Sequence, residues 1–166
     1  MVYAIEVWGS ACDAHLTKLL TLQKRAVRLM TYKDQFPAIP GPLHPSAPLF
    51  MQLEIIKVKD IFFLQISKFI HKCLNSNIIG NFHRWFKLNN EVHMHKTRAN
   101  FSDSLQEPTN NLSIPFGRTS HYGLKQIKVS GPKIWNSLPL DSRNIICLIN
   151  FKNSIKKYLL ESYSDT

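Results

Sequence analysis

Between Leu16 and Met30 the run LTKLLTLQKRAVRLM divides into two faces when successive residues are placed about 100° apart. Leu16, Leu19, Leu20, Leu22, Ala26, Val27, Leu29 and Met30 fall on one half. Lys18, Lys24, Arg25 and Arg28 fall on the other, beside Thr17 and Thr21. A helix so divided must bury its apolar half against other elements, and its four cations are expected in one row facing solvent. Gln23 lies within the apolar arc. A buried amide without partners costs about 1–3 kcal/mol, so Gln23 is expected to bond the backbone of a neighbouring segment.

Twenty-one Lys and Arg against eleven Asp and Glu leave a formal charge of +10, which favours an anionic partner, nucleic acid before an anionic membrane surface. A basic protein with a scattered, solvated surface is the plainer alternative. With 166 residues and 44% hydrophobic content the chain can bury a substantial core as one domain, alone or with an appended piece. Cys12, Cys73 and Cys147 are far apart and odd in number, so no disulfide framework or CxxC motif can be drawn, and a reducing compartment is the simpler expectation. The opening MVYAIEVWGSACDAH lacks a basic leader and carries Glu6, which argues against a signal peptide. No stretch reaches about 18 consecutive apolar residues, which argues against a membrane span. Tyr3, Ile5, Val7 and Trp8 precede any turn signal, so the chain reads as the continuation of something longer.

Gly9 and Ser10 break the first apolar segment, and Asp13 stands where an N-cap of the opening helix belongs; that helix is expected to end near Lys33 and Asp34. Phe36 to Pro48 holds Pro37, Pro40, Pro42, Pro45 and Pro48 and reads as an extended loop, a spacer more readily than a polyproline ligand. Ser46 is placed to cap a short helical turn in PLFMQLEII, with Pro48 in its first turn. A second amphipathic helix follows from about Lys57 to Leu74, with Val58, Ile61, Phe62, Ile66, Phe69, Ile70 and Cys73 on one face and Lys68, His71 and Lys72 outside it. The two long helices are expected to pack together. FHRWF at Phe82 to Phe86 reads as one or two helical turns, and Lys87 to Asn111 mostly as loop. Leu112 to Pro115 and Gly123 to Val129 alternate apolar and polar and are expected to pair as a short hairpin. Pro132 is expected to open a turn carrying Ile134, Trp135 and Leu138, which Pro139 closes. The last helix should run from Leu148 to Tyr163, with Leu148, Phe151, Ile155, Tyr158 and Leu159 inward. The fold expected is therefore mainly α, a helical bundle with a Pro-rich loop and a small irregular or β-hairpin insertion before the last helix.

Metal-assisted phosphoryl or nucleotidyl transfer needs carboxylates converging on divalent ions, and Asp13, Asp34, Asp60, Asp103, Asp141 and Asp165 are all isolated. Neither a GxxxxGK[ST] loop nor a GxSxG elbow occurs. His93 and His95 with Cys73, His83 and His121 lack the C-x2-4-C and H-x3-5-H pairing of zinc sites, so no metal or other cofactor is expected. Lys18, Lys24, Arg25 and Arg28, with Lys96, Arg98, Arg118, Lys125 and Lys128, could neutralise phosphates, and Trp85, Phe86 and Tyr122 could stack on bases. Trp135, among apolar neighbours, reads as core.

Six blocks in order resemble one family, the C-terminal region of reverse transcriptases encoded by LINE-type, jockey-like non-LTR retrotransposons. They are YAIEVWG at Tyr3 to Gly9, LQKRAVRLM at Leu22 to Met30, PLFMQLEII at Pro48 to Ile56, HMHKTR at His93 to Arg98, GPKIWNSLP at Gly131 to Pro139, and FKNSIKKYLL at Phe151 to Leu160. The resemblance implies a thumb-like helical region over residues 1–78 and a C-terminal extension over 79–166, gripping template and primer after the polymerase palm. The family's paired catalytic aspartates lie upstream of this region, so no polymerase activity is expected of this chain alone. Where the family carries a Leu-Pro step after the second long helix, Ile79-Gly80 stands here. Expected partners are RNA and DNA, contacted by Lys18, Lys24, Arg25, Arg28, Lys96, Arg98 and Arg118, and the upstream palm and fingers of the parent polymerase. No membrane and no small-molecule substrate are expected, and the place of action would be the nucleus or cytoplasm. A protein-interaction module, or a decayed frame without retained function, is the alternative.

Overall fold

The computed structural model describes residues 4–35, 45–75, 81–92, 110–117, 119 and 123–164. Among these the chain is mainly helical and contains no strand. The helices are α1 (Ile5–Trp8), α2 (Asp13–Gln35), α3 (Ala47–Gln52), α4 (Val58–Leu74), a 3₁₀ turn (Asn81–Trp85), α5 (Asn89–Val92), α6 (Ile127–Asn136), α7 (Leu140–Arg143) and α8 (Leu148–Glu161). The Pro-rich stretch 36–44 lies outside the described residues. The chain forms two compact units: residues 1–62 with 156–166, and residues 63–155.

In the first unit Val27, Phe50 and Tyr163 form a buried cluster against which Leu49, Leu53, Ile55 and Leu160 pack. Gly9 lets α1 approach the start of α4, since a Cβ there would lie 2.3 Å from Cδ2 of Phe62. α2 begins at Asp13 itself, and the Cys12 carbonyl accepts the first helical hydrogen bonds, from the N–H groups of His15 and Leu16. The Asp13 carboxylate, expected to cap α2, instead meets the Lys59 ammonium at 2.8 Å. Ser46 does occupy the N-cap of α3, but without a side-chain capping bond.

Between α3 and α4 the chain is irregular, and side chains from distant segments satisfy its backbone. Gln23 donates to the Ile56 carbonyl at 2.8 Å and accepts from the Val58 N–H at 2.9 Å. This is the backbone-bonding role that its place in the apolar arc predicts. The Tyr163 hydroxyl accepts the Lys57 N–H at 3.0 Å and donates to the Asp60 carboxylate. The Lys57 ammonium lies 3.7 Å from the centre of the Tyr163 ring. α3 ends with Glu54 in the left-handed region, φ 50°, closed by hydrogen bonds from Ile55 N–H to Phe50 C=O and from Glu54 N–H to Met51 C=O. That pair of bonds is the helix ending for which glycine is the usual residue.

The second unit gathers around the part of α4 from Phe63 onward, with Ile66, Ile70, Phe86, Leu112, Trp135, Phe151 and Ile155 all buried. His71, expected outside the apolar face, is 1% exposed. Its ring stacks on Phe151 at 4.4 Å and its Nε2–H donates to the Ile145 carbonyl at 2.7 Å. Because α4 is apolar over most of its circumference, its buried arc is wider than one face and takes in this residue, whose polar edge is satisfied.

The expected hairpin is absent. Residues 127–136 form α6, and Leu112 makes an isolated antiparallel bridge with Leu88. Leu112 is further held by Asn136, whose side-chain oxygen accepts the Leu112 N–H at 2.8 Å and whose Nδ2 donates to the Leu112 C=O at 2.9 Å. A side-chain amide thus replaces a neighbouring strand. Pro132 sits inside α6 rather than at its start, with its ring buried. Gly131 before it allows close packing, since a Cβ there would meet Ile70 Cδ1 and Phe86 Cε1 at 3.2 Å.

Candidate functional site

α2 was expected to present Lys18, Lys24, Arg25 and Arg28 as one exposed row. Lys18 and Arg25 are exposed, whereas Lys24 and Arg28 are half-buried. The buried stripe runs Leu16, Val27 and Thr31, with Leu20 and Gln23 half-buried beside it. On helical geometry Lys24 and Arg28 flank this stripe while Lys18 and Arg25 stand opposite, so the four spread over about 120°. The apolar half is also narrower than expected. Leu22 and Leu29 are 53% and 72% exposed, and Met30 and Ala26 are exposed with them. Lys96, Arg98 and Arg118 lie outside the described residues, as do His93, His95 and Tyr122.

Charge is unevenly shared between the two units. Residues 63–155 carry 12 Lys and Arg against four acids, Glu91, Asp103, Glu107 and Asp141, which is +8 of the chain's +10. The remaining residues carry nine cations and seven acids. The described ion pairs belong to the first unit: Asp13 with Lys59, Glu54 with Lys156, and Lys157 with Glu161. Among the described residues Arg84, Lys87, Lys125, Lys128 and Lys133 of the second unit have no acidic partner.

Of the aromatic candidates, Trp135 and Phe86 are core. Trp135 stacks with Phe151 at 5.8 Å and its indole N–H donates to the Asn110 carbonyl at 2.9 Å. Trp85 is different, with 40% of its surface exposed. It forms one wall of an open, largely apolar cleft of about 410 Å³ whose other walls are Gln126, Ile127 and Lys128. The ring is also braced: Phe82 lies nearly perpendicular to it at 5.0 Å, and Phe69 of α4 meets Phe82 at 5.9 Å. Trp85 and Lys128 were each legible as single residues with a use at an anionic polymer. Their adjacency was not, because it depends on α6 replacing the hairpin.

Burial pushes the Cys73 thiol up to about 11. Backbone N–H groups of Asn150 and Ile149, at the start of α8, lower the exposed Cys147 thiol below its ordinary value. Among the described residues no group of three or more His, Cys, Asp or Glu side chains could hold a metal ion. Among them, too, no helix is long and apolar enough to cross a membrane.

Compared with protein-family models, with curated proteins and with solved structures, the chain matches none.

Proposed function

We propose that this chain is a non-catalytic, nucleic-acid-binding helical module, similar to the region that follows the palm in LINE-type reverse transcriptases, and that it engages RNA and DNA in the nucleus or cytoplasm. The observation that carries this reading is the excess of cations that have no acidic partner among the described residues: Lys18 and Arg25 on α2, and Arg84, Lys87, Lys125, Lys128 and Lys133 in the second unit. Such positions neutralise phosphates and release counterions, which gives affinity without sequence preference. Lys24 and Arg28 would join through their long stems. Lys96, Arg98 and Arg118 are the further phosphate contacts expected from their charge.

Fluorescence anisotropy of the full chain on a labelled short duplex, titrated with salt, tests the reading. If about four phosphates are contacted, log K falls against log salt with a slope of about −3 to −4. Arg25→Ala and Lys18→Ala should each reduce that slope by about 0.9 and leave the melting curve in place. Binding indifferent to salt, or no binding at low salt, refutes the proposal.

The exposed Leu22, Leu29 and Met30 on the same helix favour a second reading, a protein partner such as the palm of a parent polymerase. Leu29→Glu should then abolish capture of that partner while nucleic-acid affinity changes little.

A further inference from the structure

We propose that the cleft between Trp85 and the first turn of α6 is a stacking site for an unpaired nucleobase of single-stranded nucleic acid, with Lys128 countering the adjoining phosphate. The inference rests on the nucleic-acid reading above and gives it a definite base-contacting site.

A base needs a flat apolar face that water does not cover on both sides, and a fixed one, so that little freedom is lost on binding. Trp85 meets both needs. It is 40% exposed and lines the cleft, while the perpendicular contact with Phe82, itself against Phe69, holds the indole in place. The cleft volume of about 410 Å³ lies in the range of small-ligand sites and its walls are largely apolar, which suits an aromatic ring better than a hydrated ion. The charge around it selects the rest of the ligand. Lys128 lines the cleft, and exposed Arg84 and Lys87 bracket Trp85 in sequence. From Glu107 to Asp141 the sequence has no acidic residue between them, and four cations: Arg118, Lys125, Lys128 and Lys133. An acidic ligand with a planar apolar ring fits this combination. A neutral hydrophobic ligand leaves the cations unused, and a metal ion finds no carboxylate. Single-stranded chains present bare base faces next to phosphates, whereas a duplex hides those faces.

The test uses the full-length chain and two labelled oligonucleotides of equal length and charge, oligothymidylate and its abasic counterpart, read by anisotropy at low salt. The wild type should bind the oligothymidylate about 5- to 150-fold more tightly than the abasic strand, the range of one stacked base. Trp85→Ala should bring the two affinities together, with the abasic affinity unchanged. Trp85→Leu keeps apolar bulk against Phe82 but removes the aromatic face, so it guards against a folding defect and should lose the same preference. Trp85→Phe should keep part of it. Lys128→Ala should weaken both strands alike and reduce the single-strand salt slope by about 0.7. A wild type without preference, or a preference that survives in both Trp85→Ala and Trp85→Leu, overturns the stacking site. In either case salt-dependent binding of both strands leaves the nucleic-acid reading intact. A wild type that binds neither strand overturns both.

Discussion

Tyr163→Phe removes one oxygen and with it two hydrogen bonds in the first unit: the one accepted from the Lys57 N–H at 3.0 Å and the one donated to the Asp60 carboxylate. A neutral hydrogen bond contributes about 0.5–1.5 kcal/mol and one to a charged group about 1.5–3 kcal/mol, so the loss at neutral pH should be about 2–4 kcal/mol. The ring stays, and so do its contacts with Phe50 and the Lys57 ammonium. Burial is the main cause holding the Tyr163 hydroxyl well above the ordinary tyrosine range, and its bond to Asp60 adds to it. The neutral form is therefore preferred in the fold, and its stabilising contribution is fully present below the unfolded-state value of about 10. Above about pH 10 the unfolded chain loses that proton while the folded chain keeps it, so stability falls by about 1.4 kcal/mol per pH unit. Phenylalanine has no such proton. Urea unfolding followed by far-UV circular dichroism at neutral pH and near pH 11 should show the difference between wild type and Tyr163→Phe shrinking by about 1.4 kcal/mol. A difference that stays constant with pH, or that is below about 0.5 kcal/mol at neutral pH, would refute the reasoning.

Gln23→Leu should cost about 2–4 kcal/mol, because the Ile56 carbonyl and the Val58 N–H lose their partners at once; denaturant melts in which it is neutral would contradict the assigned role. Glu54→Gly should raise stability by roughly 1 kcal/mol, since glycine adopts the left-handed conformation freely and the exposed pair with Lys156 is worth less than that. A lowered melting temperature would count against it. Thiol labelling at neutral pH should modify Cys147 readily and leave Cys73 protected until the chain unfolds, as a mass-spectrometric time course can show.

The long helices were legible because their apolar periodicity persists over many turns, and α2, α4 and α8 begin and end within two residues of where that pattern places them. Gln23 was legible for a related reason, since a polar residue in the middle of an apolar arc needs a partner. The failures share a cause. Alternation over the few residues Gly123 to Val129 fits a strand, yet Ile127, Gly131, Ile134, Trp135 and Leu138 continue it at helical spacing, and the longer pattern prevails. Face assignments on α2 and α4 went wrong where burial depends on how many neighbours surround a helix. Leu22 and Leu29 stay largely exposed, while His71 found Phe151 and the Ile145 carbonyl. Each candidate cation could be recognised by residue type, but its grouping with others depends on packing that no local pattern encodes.

The lopsided charge, +8 on residues 63–155, makes ionic strength a regional variable in this molecule. Mutual repulsion among like charges is screened as the screening length falls from about 30 Å at 0.01 M salt to about 8 Å at 0.15 M. Backbone amides of α4 and α6 should therefore exchange more slowly with deuterium when salt or a polyanion is added. Those of α2, in the nearly neutral remainder, should hardly respond.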